Sequence, residues 1–361
     1  EFDRNTEWVY NAKNTFSFLG SHQANTNTGG GNSVVLGQCS EEATLINAIQ
    51  GNANISPLEN STHVIEGVVT AVTPDQKGMF IQEEATDIDS DPQTSEGIFV
   101  YLGELAAVSK GNTARVIGDV TEKYGRTQLT ASEALLDCGN LTSISPTNLT
   151  LPVDNQSVWE SLEGMQVSIE QTLQVSDTYN LARYGQFSAS NGRLIIPTNI
   201  YTPGSTQATS LADRNARNSI MIDDRNSAQN PEDVPFPAPQ LSYNNTLRLG
   251  DAVSNINGVM DYSYGSYKIL PTSDLTFIAQ NPRTNAPQLA TNDELVIASF
   301  NVLNLFNGDG QGQGFPTARG ADSYQEYQRQ LAKTVSAIVE INADVIGLME
   351  IENDGYDPLS A

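Results

Sequence analysis

The sequence predicts a mostly β fold, two small β-barrel modules followed by the first strand–helix–strand part of an α/β layered domain. Three observations carry this expectation. Short alternating segments recur between Ser61 and Leu135. A second stretch, Leu162 to Ile278, repeats that scheme with matching glycine and tyrosine spacings. After residue 292 the alternation gives way to continuous apolar runs separated by a helical period. With 361 residues, the chain is also too long for one ordinary core, so two or three domains are expected.

In chain order, residues 1–22 hold Trp8, Val9, Tyr10, Phe16 and Phe18 in polar surroundings. That is too little for a domain and reads as the tail of something upstream. Residues 23–39 form a linker, rich in Asn, Thr and Gly over Gln23–Ser33. The first module spans 40–150. Ser40 to Gly51 reads as a short helix, with Ser40 as N-cap, Glu41 and Glu42 at the positive end and Gly51 as terminator. Strands follow at His63–Val72, Gly78–Gln82, Gly97–Leu102 and Thr113–Val120, with turns at Pro74-Asp75 and Tyr124-Gly125-Arg126. Five or so short strands in this span suggest a closed barrel.

The second module spans 151–280. Gly118 and Tyr124-Gly125 of the first module match Gly258 and Tyr264-Gly265 of the second. Each copy opens on a further glycine, Gly111 and Gly250. One barrel type used twice explains the matches. Residues 281–292 form a Pro/Asn-rich linker, and 293–361 begin the third region. There Glu294–Phe300 and Ala343–Met349 read as strands buried on both faces. Ser323–Ile341 reads as a helix with Leu331, Val335, Ile338 and Val339 on one face.

Eighteen Lys and Arg stand against 43 Asp and Glu, a net charge of −25. The average surface therefore repels a polyanion, and any nucleic-acid contact must be local or bridged by divalent cations. Adaptation to salty surroundings is an alternative source of the charge. The two cysteines, Cys39 and Cys138, suit one disulfide in an oxidising compartment; two buried free thiols are the other reading. No run of 18 apolar residues occurs, which gives no membrane span.

The chemistry concentrates at two strand ends. Asn301 follows Ala298-Ser-Phe300 and Glu350 follows Gly347-Leu-Met349. In adjacent parallel strands both would stand at the carboxyl edge, where open α/β sheets place their sites. An amide oxygen and a carboxylate are half of a hard-cation site suited to Mg²⁺. A solvated strand end is the bland alternative for Glu350.

The segments Ile297–Phe306, Arg319–Asp322, Arg329-Gln330 and Ala343–Asn353 resemble the opening of the endonuclease/exonuclease/phosphatase superfamily, and more narrowly its secreted bacterial extracellular deoxyribonucleases. The likeness extends upstream through Leu36–Cys39, Ala43–Gly51, Phe80–Glu84, Ser95–Phe99 and Tyr179–Gly185. Thr15–His22 is similar to the close of a lamin-tail domain. The resemblance implies oligonucleotide/oligosaccharide-binding (OB) barrels and a secreted Mg²⁺- or Mn²⁺-dependent nuclease of extracellular DNA. In it Asn301 and Glu350 are the first metal-site and catalytic residues. It also requires two histidines and further Asp/Asn residues from later strands. This chain has only His22 and His63, so a fragment of the catalytic domain is expected.

Two further candidates remain. Asp87, Asp89 and Asp91, with Glu96 nearby, form an acidic loop that is either a Ca²⁺ site or a solvated loop; Pro92 and Ile98 rule out an EF-hand. Lys123, Tyr124, Arg126, Tyr264 and Lys268 form a candidate stacking surface for nucleic acid, against the alternative that the tyrosines pack the barrels. The rival to an enzyme is a non-catalytic extracellular binding or assembly module built from the tandem barrels. A third reading keeps the superfamily but takes a phosphomonoester or phospholipid.

Overall fold

A computed structural model describes residues 34–284 and 295–353. The expected upstream tail at 1–22, most of the first linker and residues 285–292 of the second lie outside the described residues. The chain divides into two units, Glu1–Asn281 and Pro282–Ala361.

The first barrel of the first unit is built from β1 (Thr62–Thr73), β2 (Gly78–Gln82), β3 (Gly97–Tyr101), β4 (Thr113–Lys123) and β5 (Arg126–Gly139), closed in the order β1-β2-β3-β5-β4. The long first strand makes closure feasible. Its front half pairs with β4, its back half with β2, and a register shift between Val69 and Ala71 bends it from one to the other. Strands β3 and β5 pair in parallel; the other pairs are antiparallel. Inward residues such as Ile65, Val69, Met79, Ile81, Ile98, Val116 and Leu129 make the core, and Ile46 and Ile49 join them from a short helix, Ile46–Gln50. Each such burial contributes about 1.5–3 kcal/mol.

That helix is shorter than the sequence suggests. Ser40 does not cap it: its φ is 67° and its N–H donates to Glu66 Oε1 at 2.9 Å. The carbonyls of Glu41 and Glu42 accept from Arg115 Nη1 and Nη2 at 2.8 and 3.0 Å, and Leu36 O accepts from Arg115 Nε at 2.6 Å. Arg115 is 2% exposed and ion-paired with Glu66 at 2.8 Å. A buried guanidinium that satisfies three carbonyls holds this segment extended, and the helix starts only beyond it. Cys39, in the same segment, is disulfide-bonded to Cys138 in β5.

The second barrel repeats the topology with broken strands. Its elements are β6 (Thr147–Asn148), β7 (Gln166–Ile169), β8 (Leu173–Asp177), β9 (Gln186–Ser190), β10 (Ser219–Asp223), β11 (Ala252–Ser254), β12 (Ile256–Ser263), β13 (Ser266–Pro271) and β14 (Thr276–Ile278). They form one sheet in the order β14-β11-β8-β9-β10-β13-β12-β7-β6. The pairs β7/β8 and β11/β12 are successive halves of two segments, equivalent to β1 and β4. The sheet therefore curls so that β7 meets β12 at one end while β8 meets β11 at the other. The parallel pair recurs as β10 with β13. A helix, Thr206–Arg217, capped by Ser205, lies between β9 and β10. The core includes Trp159, Val167, Leu173, Phe187, Ile222, Val253 and Ile269.

The matched hairpins are equivalent in the backbone. Tyr124 and Gly125 have φ of 55° and 86°, Tyr264 and Gly265 of 52° and 78°. Two left-handed residues between antiparallel strands are the turn that follows strand twist most closely, and glycine carries the second position without strain.

The two barrels share a core of their own: Ala71, Phe80 and Phe99 of the first with Val259 and Leu270 of the second. Gly97 and Gly164 bring the backbones together, since a Cβ on Gly97 would lie 2.3 Å from the Gly164 carbonyl carbon. Arg126 reaches from β5 to Asp261 of β12 at 2.7 Å and stacks its guanidinium 3.7 Å from the Phe99 ring centroid. Gln82 Oε1 accepts from Gln166 N–H at 2.8 Å, and Glu163 Oε1 accepts from Thr127 N–H at 3.0 Å.

In the second unit, β15 (Ile297–Leu305) and β16 (Val345–Ile351) pair in parallel across a helix, Tyr324–Ile341. Ser323 Oγ accepts from Glu326 N–H, and Asn342 ends the helix at φ 47°. The strands are not buried on both faces as the sequence suggests. Ile297, Val345 and Met349 are about half exposed or more, as are Val335 and Val339 on the helix. Two strands and one helix do not supply two covering layers.

Candidate functional site

The parallel register sets Asn301 level with Met349, so Glu350 is the next residue along the same carboxyl edge. Both are exposed. The backbone here is unusual: Leu303, Asn304 and Glu350 have φ of 58°, 51° and 62°, and the register shifts between Asn301 and Leu305. Left-handed non-glycine residues each cost on the order of 1–3 kcal/mol and cluster where side chains are re-aimed for function. Asn301 Oδ1 accepts from Leu303 N–H at 2.9 Å, which folds the bulge onto the carboxamide. Glu352 Oε2 accepts from Asn307 N–H at 2.6 Å and pins the two strand ends together. Gln330 Nε2 donates to Val302 O at 3.0 Å and so ties the helix to the bulge. One amide and one carboxylate, both hard oxygen donors open to solvent, fit part of the coordination of Mg²⁺ or Mn²⁺, which keeps several waters.

The acidic loop divides. Asp89 accepts from Asp91 N–H through Oδ1 (2.7 Å) and from Thr94 Oγ1 through Oδ2 (3.0 Å). Asp91 Oδ1 accepts from Gln93 N–H, and Glu96 accepts from Asp89 N–H and Asn47 Nδ2. These carboxylates fix the loop and a helix residue. Asp87 instead stands with Glu83 and Glu84, the three offering oxygens within 4.8 Å of one another. Glu83 is 2% exposed, and burial pushes its carboxyl up to about 8 against the opposing hydrogen bond from Ile46 N–H. A carboxyl that holds its proton at neutral pH is a poor ligand, so this trio offers a cation two charged groups rather than three. The Glu83-Glu84 pair directly after β2 was the available sequence signal for it.

Of the proposed stacking residues, the structure exposes Tyr124 (79%) and Tyr264 (93%) at the two hairpin tips, with Lys123 Nζ 4.8 Å from the Tyr124 ring centroid. These two tyrosines do not pack the barrels; Tyr262 and Tyr267 do, at 4.7 Å from each other. Arg126 and Lys268 are turned inward. Arg126 is committed to Asp261, and Lys268, 3% exposed, is paired with Asp223 at 2.9 Å. A buried cation keeps a carboxylate partner, which removes both from a nucleic-acid surface. His63 is likewise internal to the first barrel, with its ring nitrogens 3.0 and 2.9 Å from Thr44 Oγ1 and Ser61 Oγ.

Sequence reasoning missed Glu163, which lies between the barrels. It is 1% exposed, and desolvation, with Glu160 and Asp261 nearby, holds its carboxyl well above the usual range. Its Oε2 has no hydrogen-bond partner.

A family model described as a domain of unknown function (DUF8508) matches residues 127–281. That span runs from β5, the last strand of the first barrel, through the whole of the second. No curated protein matches the chain.

Proposed function

We propose that the chain is part of a secreted, metal-dependent nuclease that hydrolyses phosphodiester bonds of extracellular DNA. The observation that carries the reading is the edge formed by β15 and β16, where Asn301 and Glu350 follow one another in register beside three left-handed residues. These two side chains would hold Mg²⁺ or Mn²⁺, which polarises the phosphate and activates a water when bound. The reading requires proton-handling groups from a polypeptide in which residues 1–361 are one part, since His63 is engaged inside the first barrel and His22 lies outside the described residues. Ca²⁺ enters only as a structural ion at the acidic loop, through Asp87 and its neighbours. The disulfide suits the oxidising compartment that secretion implies, and among the described residues no helix is long and apolar enough to cross a membrane.

Plasmid cleavage with Mg²⁺ by the protein that contains this chain is the test. Glu350→Gln keeps the shape and removes the charge, and should lower kcat on the order of a hundredfold or more, the scale of losing one strong transition-state contact. Near-parental turnover of that variant at saturating Mg²⁺ would refute the assignment. A second reading, a non-catalytic tandem-barrel module, is favoured by the shared core between the barrels and the two exposed tyrosine tips. It predicts nucleic-acid or partner binding with no cleavage by any longer form.

A further inference from the structure

Residues 295–353 contain three basic side chains, Arg319, Arg329 and Lys333. All three line a single open cleft of about 310 Å³, together with Leu303, Glu326 and Gln330. The clustering has local causes. Arg329 and Lys333 are four residues apart on the helix and so share a face. Arg319 comes from the preceding loop, held there by Thr317, whose Oγ1 accepts from Gly320 N–H at 3.1 Å and donates to Ala321 O at 3.1 Å. Gly320 allows the close approach: a Cβ there would lie 2.5 Å from Asn304 O. The loop therefore presses against the bulge that follows Asn301.

The acid of the lining does not neutralise it. Glu326 stands 3.8 Å from Arg329, too far for a hydrogen bond, and its Oε2 accepts from Asp322 N–H at 2.8 Å. Three cations against one carboxylate leave the lining at +2 in a chain of −25. Like charges this close repel unless an anion is present, so the cleft is built for one. Planar guanidinium donors and an ammonium suit phosphate oxygens.

We propose that this cleft binds a backbone phosphate of nucleic acid, at a position flanking the edge of Asn301 and Glu350. Naming nucleic acid rests on the nuclease reading above, whereas the affinity for a phosphate group rests on the cleft alone. Recognition through a backbone phosphate carries no base specificity. It fixes the strand's position along the edge.

The test is fluorescence anisotropy of a labelled duplex oligonucleotide with the 1–361 chain in EDTA, over a range of salt, with inorganic phosphate as competitor. Arg319→Ala/Lys333→Ala should weaken duplex binding by at least about tenfold at low salt and lower the slope of log K against log salt by about two, one unit for each phosphate-directed cation removed. Arg319→Lys/Lys333→Arg, which keeps both charges, should retain that slope, and circular dichroism of all variants excludes unfolding. Glu350→Gln should not weaken binding without metal, so loss of cleavage in that variant and loss of binding in the cleft variants are separate results. If the double-alanine variant binds duplex as the parent does, with the same slope, the cleft is not the site. Capture of inorganic phosphate without any binding of duplex would overturn the nucleic-acid assignment.

Discussion

Arg126→Met tests whether the two barrels behave as one folding unit. The substitution keeps most of the packing over Phe99 and removes the charge. Asp261, 0% exposed, would retain only Ser263 Oγ at 3.1 Å as a donor and would stand beside Glu163 without its cation. Removing one partner of a buried ion pair costs about 3–5 kcal/mol, because the other charge is left uncompensated in a low-dielectric site. For a unit of this size about 1 kcal/mol corresponds to roughly 2–4 °C in Tm, so a fall of about 6–20 °C is expected. Urea unfolding followed by circular dichroism and by fluorescence, which includes Trp159 buried in the second barrel, should show coincident transitions in the parent. Arg126→Met/Asp261→Leu should recover stability to within about 1 kcal/mol of the parent, since an apolar pair replaces a buried ion pair at little cost. A single variant that loses less than about 1 kcal/mol, or a double variant no more stable than the single, would show that the ion pair does not hold the barrels together.

Three further outcomes follow from the same structure. Glu83 has a folded pKa of about 8 against 4.5 in its ordinary state, so the folded protein keeps a proton that the unfolded chain releases. Its contribution is complete below about pH 4.5 and is lost as pH rises to about 8, at most about 1.4 kcal/mol per pH unit. Glu83→Gln keeps an acceptor for Ile46 N–H and should match the parent near pH 4 but exceed it by a few kcal/mol at pH 8; parallel stability–pH curves would contradict this. The Cys39–Cys138 bridge closes a loop with a sequence separation of 99, and Cys39→Ser/Cys138→Ser should lose about 4–5 kcal/mol on chain-entropy grounds. A non-reduced digest should yield the linked peptide, and freely alkylated thiols in native protein would argue against the bridge.

The barrels were legible because their signals are local. Alternation gives the strands, and the Tyr-Gly pairs give two-residue turns whose left-handed backbone follows from residue type. The start of the first module was not legible. Ser40-Glu-Glu reads as a helix cap, and only Arg115, more than 70 residues away, overrides it by binding the Glu41 and Glu42 carbonyls. Arg126 and Lys268 failed for the same reason. Sequence places them beside tyrosines, while partners 135 and 45 residues distant, Asp261 and Asp223, turn them inward. At the strand edge, the residue types of Asn301 and Glu350 were readable, but the left-handed turns at Leu303, Asn304 and Glu350 were not, because none is a residue that favours that conformation.

The disposition of cations also bears on how a chain of this charge could approach DNA. In the barrels Arg115, Arg126 and Lys268 are each buried against an acid and present little positive potential to solvent. In the second unit the cations stand in one open cleft. At physiological salt, fields between exposed charges fade over about 8 Å, so a phosphate in this cleft meets the local +2 while the remaining negative surface acts as a weak, screened background. The same background disfavours contact elsewhere on the chain, which gives discrimination between sites by repulsion as well as by attraction. Divalent cations would relieve that repulsion and, on the nuclease reading, also occupy the edge at Asn301 and Glu350. Mg²⁺ should therefore strengthen duplex binding by the parent more than by Glu350→Gln when the two are compared at equal ionic strength. An identical gain in both proteins would assign the effect to charge screening alone and leave Glu350 without a metal.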